Sequence, residues 1–160
     1  MNAKAKSSEL HLLTKYEIMK PPVCFYFNGQ SFKLQNRQAL KKFISAIFIM
    51  EGVPLKDITY VFCSDKELLG INKEFLGHDL LTDIITFDLS REKSGITAEI
   101  FISIDRVKKN SKLFKVSFKN ELHRVIFHGA LHLCGHKDKS KKERMKMGKK
   151  EEVYLERYFD

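Results

Sequence analysis

Residues 128–138, HGALHLCGHKD, constrain this chain more than any other stretch. Two histidines four apart, His128 and His132, fall on one face of a helix, a turn apart. Each can turn a ring nitrogen toward a shared point. Gly135 then stops the helix, and a short reversal can return Asp138 to the same point. Three side-chain ligands with a fourth position open describe a catalytic Zn2+ site better than a closed structural one. His136 competes with Asp138 for the third place. It follows the glycine directly and leaves little chain for the reversal, whereas Asp138 has more reach. A carboxylate remains compatible with zinc and leaves room for another, harder divalent ion.

The helix carrying the histidines starts near Ser117 or Asn120 by this reading. Leu122, Val125, Ile126, Leu131 and Leu133 give it enough apolar surface to be a central, packed element that holds its ligands rigidly. Glu121 lies seven residues before His128 on roughly the same face. It is a candidate to orient a ligand or accept a proton, with an ordinary ion pair as the alternative. Gly129 follows His128, where an H-E-x-x-H zinc protease needs its glutamate base. That absence argues against ordinary peptide hydrolysis.

The rest of the chain supplies a frame for such a helix. Strands are expected over VCFYF before an Asn-Gly turn, over 58–63, over 83–89 and over 96–104. Helices are expected over 35–50, from a Ser64 cap to 75, after an Asp105 cap, and from Ser140 to 158 with an interruption at Gly148. Residues 1–20 give no clear assignment. The order β-α-β-α-β-β-α-α-α predicts a single α+β domain over 1–160, a mixed four-stranded sheet packed with helices, with the metal site at the end of the central helix.

The net charge is +9, and residues 137–150 hold eight Lys or Arg against two acids. A basic strip beside the site can guide a polyanion into it, although charge alone does not name a nucleic acid. No apolar run approaches the roughly 18 residues of a membrane span, and no apolar segment closely follows the basic N-terminus as in a signal peptide. The three cysteines are oddly spaced and suggest a reducing compartment.

The residues of 128–138 resemble the signature of the YbeY family, metal-dependent endoribonucleases also called rRNA maturation factors, which runs close to H-G-x-L-H-L-x-G-x-D-H. The last histidine of that pattern falls on Asp138 here, and the aspartate before it on Lys137. A second stretch, INKEFLGHDLLTDIITFD over 71–88, resembles the family's L-N-x-x-[YF]-R-x-x-D-x-[PT]-T-D-V-L-S-F. Asn72, Phe75, Asp79, Thr82, Asp83 and Phe87 match. AEIFISIDRV over 98–107 resembles a third family segment. One departure concerns mechanism: Leu76 stands where the family carries an arginine, and His78 is a possible replacement as cation or proton donor.

The resemblance implies one bound Zn2+ or other divalent ion held by His128, His132 and Asp138. It implies a cytoplasmic enzyme that cuts single-stranded RNA, with the 3′ end of small-subunit rRNA as substrate and the small ribosomal subunit as partner. Lys108 and Lys109 would hold the RNA backbone, and Phe75, Phe87 or Phe114 could stack bases if exposed. A metalloprotease-like hydrolase, a non-catalytic ribosome-assembly factor with a structural ion, and a hydrolase of small substrates are the competing readings.

Overall fold

A computed structural model of the chain describes residues 22–91 and 94–160; the unassigned stretch 1–20 lies outside them. Among the described residues, the β-branched and aromatic runs form four strands, β1 (Val23–Phe27), β2 (Leu55–Cys63), β3 (Ile84–Asp88) and β4 (Ile96–Ser103). They make one sheet in the order β1-β2-β4-β3. β1, β2 and β4 are parallel, and β3 runs antiparallel to β4 at an edge.

Among the described residues, five helices pack on this sheet: α1 (Arg37–Met50), α2 (Asp65–Leu76), α3 (Ile104–Leu113), α4 (Phe118–Leu133) and α5 (Lys141–Phe159). The fold is therefore α+β with a mixed four-stranded sheet, as the sequence pattern led one to expect. Val23, Ile58, Tyr60, Phe62, Ile100 and Ile102 join Leu40, Ile44 and Phe48 of α1 and Val125, Ile126 and Phe127 of α4 in one buried core. A smaller cluster of Cys63, Leu68 and Ile85 lies under α2.

Local chemistry accounts for most helix ends. Ser64 and Ser140 each accept from the backbone N–H three residues on, and Glu67 and Glu143 return the bond, so both expected capping boxes form. Ser117 caps α4 by accepting from the Asn120 N–H. Two expectations change. Ser103, not Asp105, caps α3, accepting from Arg106 N–H. Asp105 instead accepts the Asp65 N–H, 40 residues back in the chain, and so joins the starts of α2 and α3. Helix α5 also runs unbroken through Gly148. One internal glycine costs only about 1 kcal/mol relative to alanine, and buried Met147 and Tyr154 on either side hold the helix to the core.

Helix α4 lies unusually close to the sheet. A Cβ at Gly129 would come 2.8 Å from Ile84 Cδ1 and 2.9 Å from Ile100 Cδ1. Glycine is what permits the approach. The buried Tyr60 hydroxyl also donates to the Ile126 carbonyl, pinning the helix over β2.

Candidate metal centre

His128 and His132 project from the last two turns of α4 into a cavity of about 1120 Å3. The edge strand β3 forms its opposite wall with Ile84, Thr86 and Asp88, and the segment between α2 and β3 closes it with His78, Leu80 and Leu81. Asp138 and Lys139 lie at its margin.

The end of α4 explains how Asp138 arrives there. The Gly135 N–H bonds to the His132 carbonyl and the His136 N–H to the Leu131 carbonyl, with Gly135 at φ +93°. This is the paired bonding of a Schellman turn, and it reverses the chain within two residues. Arg144 then holds the returning loop by donating to the carbonyls of Asp138 and Lys139 at 3.3 and 2.6 Å. Asp138 Oδ2 ends 3.6 Å from His128 Nε2 and 3.5 Å from His132 Nε2.

The hydrogen bonds of the two imidazoles define their tautomers. His132 Nδ1 donates to the His136 carbonyl at 2.9 Å. His128 Nδ1 donates to the Glu151 carboxylate at 2.6 Å. A carbonyl and a carboxylate are acceptors, so both Nδ1 atoms carry protons, and in the neutral rings that ligate a metal Nε2 is the donor atom of each. The two Nε2 atoms lie 2.9 Å apart, with a carboxylate oxygen beside them. Two imidazole nitrogens and a carboxylate oxygen converging on one point suit a shared cation. One atom from each of His128, His132 and Asp138 falls within 4.8 Å of the others, and the three form a metal-binding triad suited to a single divalent ion of the zinc type. Burial and the adjacent His128 hold His132 below the usual imidazole pKa despite Asp138, which favours the neutral form that ligates.

His136 takes no part as a ligand. Its side chain turns away and donates to Glu51 Oε2 at 2.7 Å, so its contribution to the site is its carbonyl. Glu51 also accepts from Lys150 at 2.6 Å and from the Tyr154 hydroxyl. Burial alone would raise its pKa. The bonds from Lys150, Tyr154 and His136 outweigh that and hold it at about 2.

Glu121 sits apart from the cavity wall. It is 1% exposed, and its two oxygens accept from Arg124 Nη2 and Nε at 2.7 and 2.9 Å. Both oxygens of the carboxylate are thus engaged by one guanidinium. The same guanidinium reaches Glu151 at 3.2 Å and Asp83 at 3.6 Å. Hydrogen bonding to Glu121 and the charges of Glu151 and Glu121 push the Arg124 pKa up against burial.

His78 follows Gly77, which takes φ +66° at the end of α2 and turns His78 out of the helix to line the cavity beside Leu76. Asn72 is buried and donates to the Leu80 carbonyl at 2.7 Å, fixing the loop that carries these residues. Phe75 and Phe114 are 64% and 56% exposed, whereas Phe87 is half-buried between Phe75 and Phe101. Lys109 pairs with Asp65.

Glu51, Arg124 and Glu151 escaped the sequence reading. Glu151 follows His128 by 23 residues and Glu51 precedes His136 by 85, so no local spacing marks either. The closeness of α4 to β3 and β4 also explains the missing protease base. Position 129 faces Ile84 and Ile100 and has no room for a glutamate side chain.

Comparison with known proteins points to one family. The family model described as Endoribonuclease YbeY matches residues 26–159. A Cytophaga hutchinsonii protein named Endoribonuclease YbeY is 45% identical over 138 residues, covering 86% of this chain and 96% of the relative. A Flavobacterium johnsoniae protein of the same name is 46% identical over 127 residues, covering 79% and 91%. The solution structure of a Thermotoga maritima protein superimposes with a TM-score of 0.57 at 28% identity, covering 84% of this chain and 89% of that one. With the family model spanning most of the chain and relatives of that name 45–46% identical over most of both lengths, the chain belongs to the YbeY endoribonuclease family.

Proposed function

We propose that this chain is a metal-dependent endoribonuclease that cuts single-stranded RNA within one domain spanning 1–160 and acts in 16S rRNA 3′-end maturation and ribosome quality control. The observation that carries the metal chemistry is the convergence of His128 Nε2, His132 Nε2 and Asp138 Oδ2, with the two nitrogens 2.9 Å apart and the oxygen 3.5 to 3.6 Å from them. Family membership supports the RNA substrate and the association with the small ribosomal subunit. A divalent ion such as Zn2+, held by His128, His132 and Asp138, supplies positive charge for phosphodiester oxygens and acidifies water.

The remaining roles belong to the chain itself. His78 lines the cavity where it can contact a phosphate oxygen or pass a proton to the leaving oxygen. It does so next to Leu76, which supplies no charge at the position of the family arginine. Lys137, Lys139, Lys141 and Lys142 are exposed around the Asp138 loop and attract the RNA backbone. The exposed ring of Phe75, one residue before the cavity-lining Leu76, offers a stacking surface. A single strand can bend into such a cleft more readily than a duplex. Glu121 serves by holding Arg124. Among the described residues no helix is long and apolar enough to cross a membrane, and no disulfide forms. Both facts are compatible with the cytoplasmic location of ribosome maturation.

The test uses metal-analysed wild type, His128→Ala and His78→Ala with a labelled single-stranded rRNA 3′-end fragment, with and without chelator. Cleavage should need both the ion and His128, and should fall at least tenfold in His78→Ala with metal content unchanged. Full activity of metal-free His128→Ala would sink the proposal. RNA binding without cleavage by the metal-loaded wild type would favour an assembly factor.

A further inference from the structure

We infer that Glu151 and Arg124 are positioning residues of the metal centre, joining the ligand His128 to the cavity wall through one shared guanidinium. The inference rests on the His128–His132–Asp138 site and not on the identity of the RNA.

The two histidines are aimed by different means. His132 is held by a backbone carbonyl of the turn that ends its own helix. Among the described residues, His128 Nδ1 is held by a side chain from α5, where Glu151 Oε1 accepts from it at 2.6 Å and Oε2 accepts from Arg124 at 3.2 Å. Both partners of the Glu151 carboxylate are donors. A carboxylate can accept from both, but an amide cannot, because its NH2 group would confront one of them. The side chain is 9% exposed, so water cannot readily take over either bond.

Arg124 fixes Glu151 in turn. Its guanidinium is locked by the bidentate pair with Glu121, which leaves Nη1 directed at Glu151. Nη2 lies 3.6 Å from Asp83, which also accepts from Asn110 at 3.4 Å. Asp83 lines the cavity immediately before the edge strand β3. One cation thus sets the direction of a metal ligand and tethers the wall across from it. A carboxylate behind a ligating imidazole fixes the ring and strengthens its donor nitrogen, and removing such a partner typically weakens metal binding by roughly ten- to a hundredfold.

The experiment measures Zn2+ affinity of wild type and Glu151→Gln by competition with a chromophoric chelator. The Co2+ absorption spectrum and melting in excess EDTA are recorded alongside. Glu151→Gln should bind Zn2+ roughly ten- to a hundredfold more weakly and change the Co2+ spectrum, while the metal-free protein melts nearly as wild type does. Unchanged affinity would overturn the inference and leave the nuclease reading standing. A loss of affinity matched by an equal loss of metal-free stability would also overturn it, by making Glu151 a structural residue only. If Glu151→Gln does not fold, Arg124→Lys serves. It keeps the charge but loses the fork, and should lose affinity several-fold, whereas wild-type affinity in that variant would refute the linkage. A wild type that bound no Zn2+ would overturn the inference and the metal site together, with no RNA assay involved.

Discussion

Replacing Glu51 with glutamine should remove a large, pH-dependent part of this protein's stability. Glu51 ends α1 and gathers Lys150, Tyr154 and His136 around one carboxylate that is only 8% exposed. Those partners hold it at about 2 instead of the ordinary 4.5. Because the folded-state pKa is the lower one, the contribution is complete above about 4.5 and is lost as the pH falls from there toward about 2. At neutral pH the difference corresponds to on the order of 3 kcal/mol. Glu51 is only partly buried and Lys150 is 41% exposed, so solvent screening trims this figure. Glutamine keeps the shape and one acceptor but cannot serve three donors as an anion does. Urea unfolding of metal-free wild type and Glu51→Gln, repeated from pH 7 to pH 2.5, measures the effect. The variant should be less stable by about 2–3 kcal/mol at pH 7, and the gap should narrow steadily below pH 4.5. Two curves that stay parallel across that window would show that Glu51 is not the anion described here.

Three other outcomes follow from the packing around α4. Gly129→Ala should destabilise by about 1–2 kcal/mol, the overpacking cost less the gain in helix propensity. Ile100→Val removes one of the two methyls it would strike, so the double variant should lose less than the sum of the singles in denaturant unfolding; strict additivity would refute the clash. Tyr60→Phe removes the bond to the Ile126 carbonyl and should cost about 1 kcal/mol, seen as a melting shift of about 2–4 °C for a domain of this size. Arg144→Ala frees the loop carrying Asp138 and should weaken Zn2+ binding several-fold in a chelator competition, with the metal-free melting temperature nearly unchanged.

What was legible in the chain is what short-range geometry controls. The i, i+4 spacing of His128 and His132 is a property of any helix, and Gly135 is the residue type that a Schellman turn selects. From these alone the metal ligands could be named, with Asp138 preferred over His136 for its reach. Ser64 with Glu67 and Ser140 with Glu143 announced two helix starts for the same reason, since the bonds span three residues. Even Leu76 and His78 could be flagged by position in a motif, although not by their surroundings.

Tertiary structure decided everything that depends on which elements become neighbours. The carboxylate behind His128 comes from α5, and the one that draws the His136 side chain away comes from the end of α1. Glu121 has the right helical phase for a site residue, yet Arg124 claims both its oxygens because the two lie three apart on the same buried turn. Asp105 looks like a helix cap in sequence and becomes a link to α2, because Ser103 already satisfies the free N–H. Placing β3 at the sheet edge is likewise a matter of pairing order, and it is this order that leaves a cavity beside the histidines. A metal ligand can be recognised from four residues of spacing, but the groups that aim it lie far away in the chain, and only folding brings them within hydrogen-bond reach.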